Sequence, residues 1–338
     1  MSIPIPTNVI RGPYADELEV GQVFDDAPAL TLTDGLAATH RGIVGNRLRL
    51  GLDHELARQV TGSSGLISPA LVWDVSIGQS TAVTQHVKAN LFYRGLAFRR
   101  FPAPGDTLRT VTTVDGLRET SRKPGRRPTG LVALHIVTSD QLDRPVLDYW
   151  RCAMIPLSSH DAPALARRDD LDAIGRAPGR ADLTAPVAAW DLTAFRSHVS
   201  GRHFADLELG ETWTIEGRDV VSSAPELARL TGNLAAVHHD AAAAGGRRLV
   251  YGGHTIGLAF HQATRALPSM VTVTGWEGCD HVGPVHEDDA LGSTLSVTRL
   301  EPLPGGGGLV HLRSQVNARG AEDEIRPVLD WRFTAVLA

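Results

Sequence analysis

Two cysteines, Cys152 and Cys279, stand in unrelated contexts of this 338-residue chain. They are too few for a disulfide framework or a cysteine-type zinc site. An excess of one charge is also lacking. The formal net charge is −5 and the pI about 6.3, so nothing draws the chain as a whole toward nucleic acid or an anionic membrane. No stretch approaches the ~18–20 apolar residues of a transmembrane helix. The start, "MSIPIPTNVIRGPYADELEVG", has no basic region ahead of an apolar run, so no signal peptide is expected and a cytoplasmic location follows. "HHD" and "HEDD" lack the helical spacing and flanking acid of zinc motifs, and no metal is expected. "PGGGGL" lacks the trailing Lys-Ser/Thr of a phosphate loop, and there is no Gly-x-Ser-x-Gly elbow.

What the chain does have is a repeat. "GPYADELEVGQVF" (12–24) returns as "GRHFADLELGETW" (201–213), and "VGN" (44–46) as "TGN" (231–233). "APGDTLRTVTTVDGLR" (103–118) returns as "HEDDALGSTLSVTRLE" (286–301), and "RPVLDYWRCAMI" (144–155) as "RPVLDWRFTAVL" (326–337). The offsets are 189, 187, 183 and 182, in unbroken order, which makes a tandem duplication. The boundaries read as 1–157 for the first copy, 158–200 for a polar Asp-, Arg- and Pro-rich linker on the surface, and 201–338 for the second copy.

Each copy shows one pattern. A helical segment comes first, "DGLAATHRGIVG" or "APELARLTG", the latter with Ser222 or Ser223 as an N-cap. A second helix follows, "SPALVWDVSIGQSTAV" (68–83) or "GGHTIGLAFHQATRAL" (252–267). In the latter, Ile256, Ala259, Phe260, Ala263 and Leu267 recur at helical spacing. The remainder alternates as strands, with "SRKPGRRPTGLV" and "LPGGGGLV" as hairpin turns. A helix followed by several long antiparallel strands, twice over, is an α+β fold in which each sheet wraps a central helix, a tandem (double) hotdog.

The stretch "TGNLAAVHHDAAAAGGRRLVYGGH" (231–254) carries the chemistry. Histidine moves protons near neutrality, and His238 is the candidate base. Gly252 and Gly253 open the second helix, where unpaired N–H groups can hold a developing oxyanion. Asn233 lies five residues before His238; an amide can orient a water but cannot take its proton. "NLAAVHHD", "VYGGH" and "GPVHEDDAL" resemble the motifs of the MaoC-like enoyl-CoA hydratase/dehydratase family, with Asn233 where the family pattern has Asp. "RLVYGGHTIGLA", "KANLFYRG" and "PGDTL" resemble the branch acting on mesaconyl-CoA (2-methylfumaryl-CoA, β-methylmalyl-CoA). In the first copy the counterpart of His238 is Gly51, so the resemblance implies one catalytic half and one half that accommodates acyl and pantetheine chains.

The resemblance implies reversible hydration of a 2-enoyl-CoA, short and branched or dicarboxylic. CoA arrives as part of the substrate and no further cofactor is needed. His238, Asn233 and Gly253 are the expected catalytic residues. Asp240, Arg247, Arg248, Tyr251, Gly252 and His254 are candidate substrate contacts, with His281 beside them. Each has a structural alternative: Asp240 caps local backbone and Tyr251 packs in the core, while the equivalence of Asp106 and Asp289 in the two copies favours a structural role for both. The basic "SRKPGRRP" loop is read as a solvated hairpin tip. A homodimer is expected. The rival classes are a non-catalytic acyl-CoA or acyl-carrier binding protein and a hotdog thioesterase.

Overall fold

Side chains of a strand alternate between faces, so a sheet packed on one side buries every second residue. Residues 107–114 do this: Leu108, Thr110, Thr112 and Val114 are buried and their neighbours more open. The computed structural model describes residues 8–338. Its first half runs β1 (Val23–Phe24), β2 (Leu30–Thr31), α1 (Asp34–Val44), α2 (His54–Thr61), α3 (Pro69–Gln79), β3 (Ala89–Phe98), β4 (Thr107–Glu119), β5 (Thr129–Ser139) and β6 (Pro145–Pro156). Two short helices follow, α4 (Arg180–Thr184) and α5 (Leu192–His198). The second half runs β7 (Thr212–Thr214), β8 (Asp219–Val220), α6 (Ala224–Leu230), α7 (Gly252–Ala266), β9 (Met270–His281), β10 (Ala290–Pro302), β11 (Gly308–Arg319) and β12 (Ile325–Leu337).

The duplication is visible in the strand order. The first half reads β4-β5-β6-β3, the second β9-β12-β11-β10, and antiparallel pairing of β3 with β9 joins them into one continuous sheet. Tyr93 faces Cys279 and Arg94 faces Gly278 across that seam. α3 is buried along its whole length, as a helix enclosed by sheet must be. Ser68 caps it by accepting from the Ala70 N–H at 3.3 Å, and Pro69, with its preset φ, occupies the first turn. On α7 the periodic Ile256, Ala259, Phe260, Ala263 and Leu267 are all buried. Trp73 of α3 locks the halves together, meeting Phe260 of α7, Trp276 of β9 and Trp331 of β12 edge-on at 5.5, 5.0 and 6.0 Å.

Asp106 and Asp289 play the same local part. Each accepts from the backbone N–H three residues earlier, Ala103 at 2.9 Å and His286 at 2.8 Å, and so pins the turn that opens β4 or β10. The expected serine cap of α6 is not made: Ser223 sits at the cap position with φ 60° and no side-chain hydrogen bond. The segment between the halves is more than a polar drape. Leu171, Leu183, Val187 and Phe195 are buried there, the last three in a small cluster with Leu56 and Val60 of α2. No helix among the described residues is long and apolar enough to cross a membrane.

Candidate active site

An apolar cleft lies where the halves meet, a cavity of about 280 Å³. The second half contributes Asn233, His238, Tyr251, Gly252 and His281 to its wall. The first contributes Tyr93 and Arg151, with Lys88. Among the described residues no Asp, Glu, Ser or Cys lines it.

His238 ends a short 3₁₀ turn, Ala236–His238, whose backbone is tied down by the Ala236 N–H donating to Gln85 O at 3.0 Å. Its Nδ1 lies 2.8 Å from the Leu249 carbonyl. A carbonyl only accepts, so Nδ1 carries the proton and Nε2 keeps a lone pair. Burial lowers the His238 pKa to about 4, partly opposed by the Leu249 bond and aided by the positive charge of Arg151. The ring is therefore neutral at physiological pH and able to accept a proton.

Asn233 follows α6 after the Gly232 turn and is nearly inaccessible. Its Oδ1 accepts from the Ala235 N–H at 2.9 Å, a local turn that fixes the orientation of the amide. The side chain therefore presents its NH₂ as a donor, where the sequence alone left both roles open. His239, next to the candidate base, donates from Nε2 to the Asn233 carbonyl at 2.7 Å and holds that loop.

The two glycines stand in different surroundings. Gly252, at the first position of α7, is on the cavity wall, and the N–H groups of a first helical turn have no intrahelical acceptor. Gly253 is not on that wall. A methyl group there would collide with the Asp74 carboxyl and the Tyr251 ring, so Gly253 is required by close packing against the first half. Asp74, fully buried on α3, accepts from His40 Nε2–H at 2.8 Å and from the Tyr251 hydroxyl at 3.2 Å. Burial raises its carboxyl pKa above the usual range, and the His40 bond opposes this. Tyr251 thus lines the cavity with one face and ties the halves together through its hydroxyl.

Four expected substrate contacts lie off the cavity. Asp240 is exposed and accepts from the Ala242 N–H at 2.9 Å. Arg247 donates to the Glu287 carbonyl at 3.1 Å, and Arg248 pairs with the Glu287 carboxylate at 2.6 Å, both on the surface. His254 is turned into the core, with neither ring nitrogen paired and a pKa lowered to about 4 by burial. His281, by contrast, does line the cavity beside Gly252; burial likewise lowers it to about 4. Arg151 and Tyr93 come from the half that looked chemically empty. Alignment of the repeats held a signal for them: Arg151 occupies the position of Phe333, and Tyr93 that of Trp276.

No group of three His, Cys, Asp or Glu side chains among the described residues could hold a metal ion. The cavity offers two neutral imidazoles, His238 and His281, the amide of Asn233, a helix start and the buried cation of Arg151.

No family model matches the chain. Among solved structures it is similar to Rv0216, a conserved Mycobacterium tuberculosis protein with a double hotdog fold: 54% identity, 97% of this chain and 100% of that one, TM-score 0.91. A MaoC domain protein from Chloroflexus aurantiacus matches at 26% identity, over 98% and 99% of the two chains, with TM-score 0.85. Two curated relatives are 27% identical. They are β-methylmalyl-CoA dehydratase of Chloroflexus aurantiacus, over 96% of this chain and 97% of that one, and mesaconyl-CoA hydratase of Cereibacter sphaeroides, over 95% and 94%. Joined to the duplicated sheet and the His238 loop, these similarities establish that the chain belongs to the double-hotdog MaoC-like hydratase/dehydratase family.

Proposed function

We propose that the protein reversibly hydrates a 2-enoyl-CoA, with a short branched or dicarboxylic acyl group of the kind named for its curated relatives. The observation that carries this reading is the tautomer of His238, set by Leu249 O so that the other ring nitrogen is basic on a cavity that α7 also meets at its start. Asn233 donates to the oxygen of a water and orients it. His238 Nε2 takes one of its protons as the oxygen attacks Cβ. The double-bond electrons move through Cα to the thioester oxygen, where the Gly252 N–H and the α7 dipole stabilise the charge. The enolate then collapses, and Cα takes the proton from His238, leaving the imidazole neutral as it began. Atoms and charge balance with one water consumed. The reverse sequence is dehydration, and CoA enters only as part of the substrate.

The cavity wall supports this reading over hydrolysis, since among the described residues it presents neither a Ser or Cys nucleophile nor a carboxylate to activate water against the thioester carbon. A pure acyl-CoA binder would have no use for a histidine held in one tautomer. The test is the fate of crotonyl-, tiglyl- and mesaconyl-CoA with the protein. Hydration removes the enoyl-thioester absorbance and frees no thiol. Release of CoA thiol, or binding with no change in absorbance, would replace the hydratase reading with one of its rivals.

A further inference from the structure

Arginine is rarely buried without an acidic partner, because its charge is costly to remove from water unless paired. Arg151, on β6, is only 3% exposed. Its Nη2 donates to the Ser80 carbonyl and to Thr84 Oγ1, both at 2.9 Å. Its Nε–H is buried with no partner, and no carboxylate pairs with it among the described residues. The fold does not need a cation there. In the second half the same sheet position holds Phe333, stacked on Trp331 at 3.8 Å. Arg151 pairs in register with Tyr93, whereas Phe333 pairs with Trp276. The first half thus has a tyrosine and an arginine on the cavity wall where the second has an apolar pair.

The surroundings favour an anion. Among the described residues the wall carries Arg151 inside and the exposed Lys88, and no acidic residue. At the position where the family pattern has an acid stands the neutral amide of Asn233. Arg151 and His238 line the same cavity. A group bound at Arg151 therefore shares that cavity with the candidate base. We infer that Arg151 is the anchor for a carboxylate on the acyl group, so that the non-catalytic half selects anionic enoyl thioesters through a buried, charge-assisted hydrogen bond. This rests on the hydratase reading for its substrate.

Binding of unreactive, saturated thioesters tests the inference without turnover. Succinyl-CoA, butyryl-CoA and free CoA would be titrated into the full-length wild-type protein, Arg151→Gln and Arg151→Lys, with circular dichroism to verify folding. The wild type should prefer succinyl-CoA over butyryl-CoA by roughly 10-fold or more. Arg151→Gln should abolish that preference, Arg151→Lys should retain part of it, and free CoA should bind all three alike. If Arg151→Gln does not fold, a reduced preference in Arg151→Lys still supports the anchor. A wild type without preference, a preference that survives in Arg151→Gln or is undiminished in Arg151→Lys, or a parallel loss of free CoA binding would overturn it. The parallel loss would reassign Arg151 to the CoA phosphates. Failure of the hydratase reading shows separately, as a protein that keeps the succinyl preference yet hydrates no enoyl-CoA.

Discussion

Asn46 and Asn233 form the same turn, each Oδ1 accepting from the backbone N–H two residues on at 2.9 Å, but their NH₂ groups have different fates. Asn46 spends its NH₂ on Ser68 Oγ at 2.7 Å, at the cap of α3. At the equivalent cap of α7 stands Tyr251, whose hydroxyl is turned to Asp74, and Asn233 is left facing the cavity. One half closed its asparagine into the fold and the other kept it available for chemistry.

Removing that donor tests its role. Asn233→Ala should lower kcat/KM by about 10- to 100-fold through lost orientation of the water. Asn233→Asp should lose more on mesaconyl-CoA than on crotonyl-CoA, since a carboxylate would repel the acyl carboxylate and pair with Arg151 itself. Steady-state kinetics on both thioesters decide; an Asp variant that gains on crotonyl-CoA and keeps its full diacid rate contradicts this account.

Gly253→Ala should act on stability. Its methyl group would force apart the Asp74 carboxyl and the Tyr251 ring, and overpacking of this kind costs about 1–3 kcal/mol. Thermal unfolding should show a lower Tm; an unchanged Tm would mean that this junction of α3 and α7 can yield.

Tyr251→Phe leaves the cavity shape intact and removes the hydroxyl that reaches Asp74. A loss of about 1–3 kcal/mol is expected, because the buried carboxyl oxygen is left short of a donor. Denaturant unfolding measures it, and stability equal to wild type would show that the hydroxyl contributes nothing there.

Acid should weaken the fold and the activity in different windows. Unfolded, His254 takes up a proton below its ordinary value of about 6.5; folded, it does so only near 4. The unfolded state binds more protons between those values, so stability is complete above about pH 6.5 and declines toward pH 4, by about 3 kcal/mol for this group. His238 must be unprotonated to act, and its acid limb in kcat/KM is expected near pH 4, provided the fold persists there. An acid limb at pH 6–7 with an intact fold would show that His238 is not held in the environment described.

The duplication, the two central helices and the Asn233–His238 loop were legible because each is written in local spacing or in similarity between copies. The cavity was legible only by half. His238, Asn233, Tyr251 and Gly252 lie in one continuous stretch, but Arg151 and Tyr93 reach the cavity across the seam of β3 and β9, which no local pattern announces. The packing at Gly253 was hidden for the same reason, since the group that crowds it, Asp74, belongs to the other copy. Arg247 and Arg248 stand near the helix start in sequence, yet the turn at Glu287 draws both to the surface. Ser223 fails as a cap because its left-handed φ carries its side chain away from the first N–H groups of α6.

The central claim is that His238 is the proton carrier of a hydration. Its most direct test is loss of mesaconyl-CoA absorbance by the wild type and by His238→Ala, with free thiol assayed in parallel. Absorbance loss without thiol, slowed at least about 100-fold in the variant, is the predicted result. Hydration that proceeds equally well in His238→Ala, or thiol released in step with the absorbance change, would contradict it.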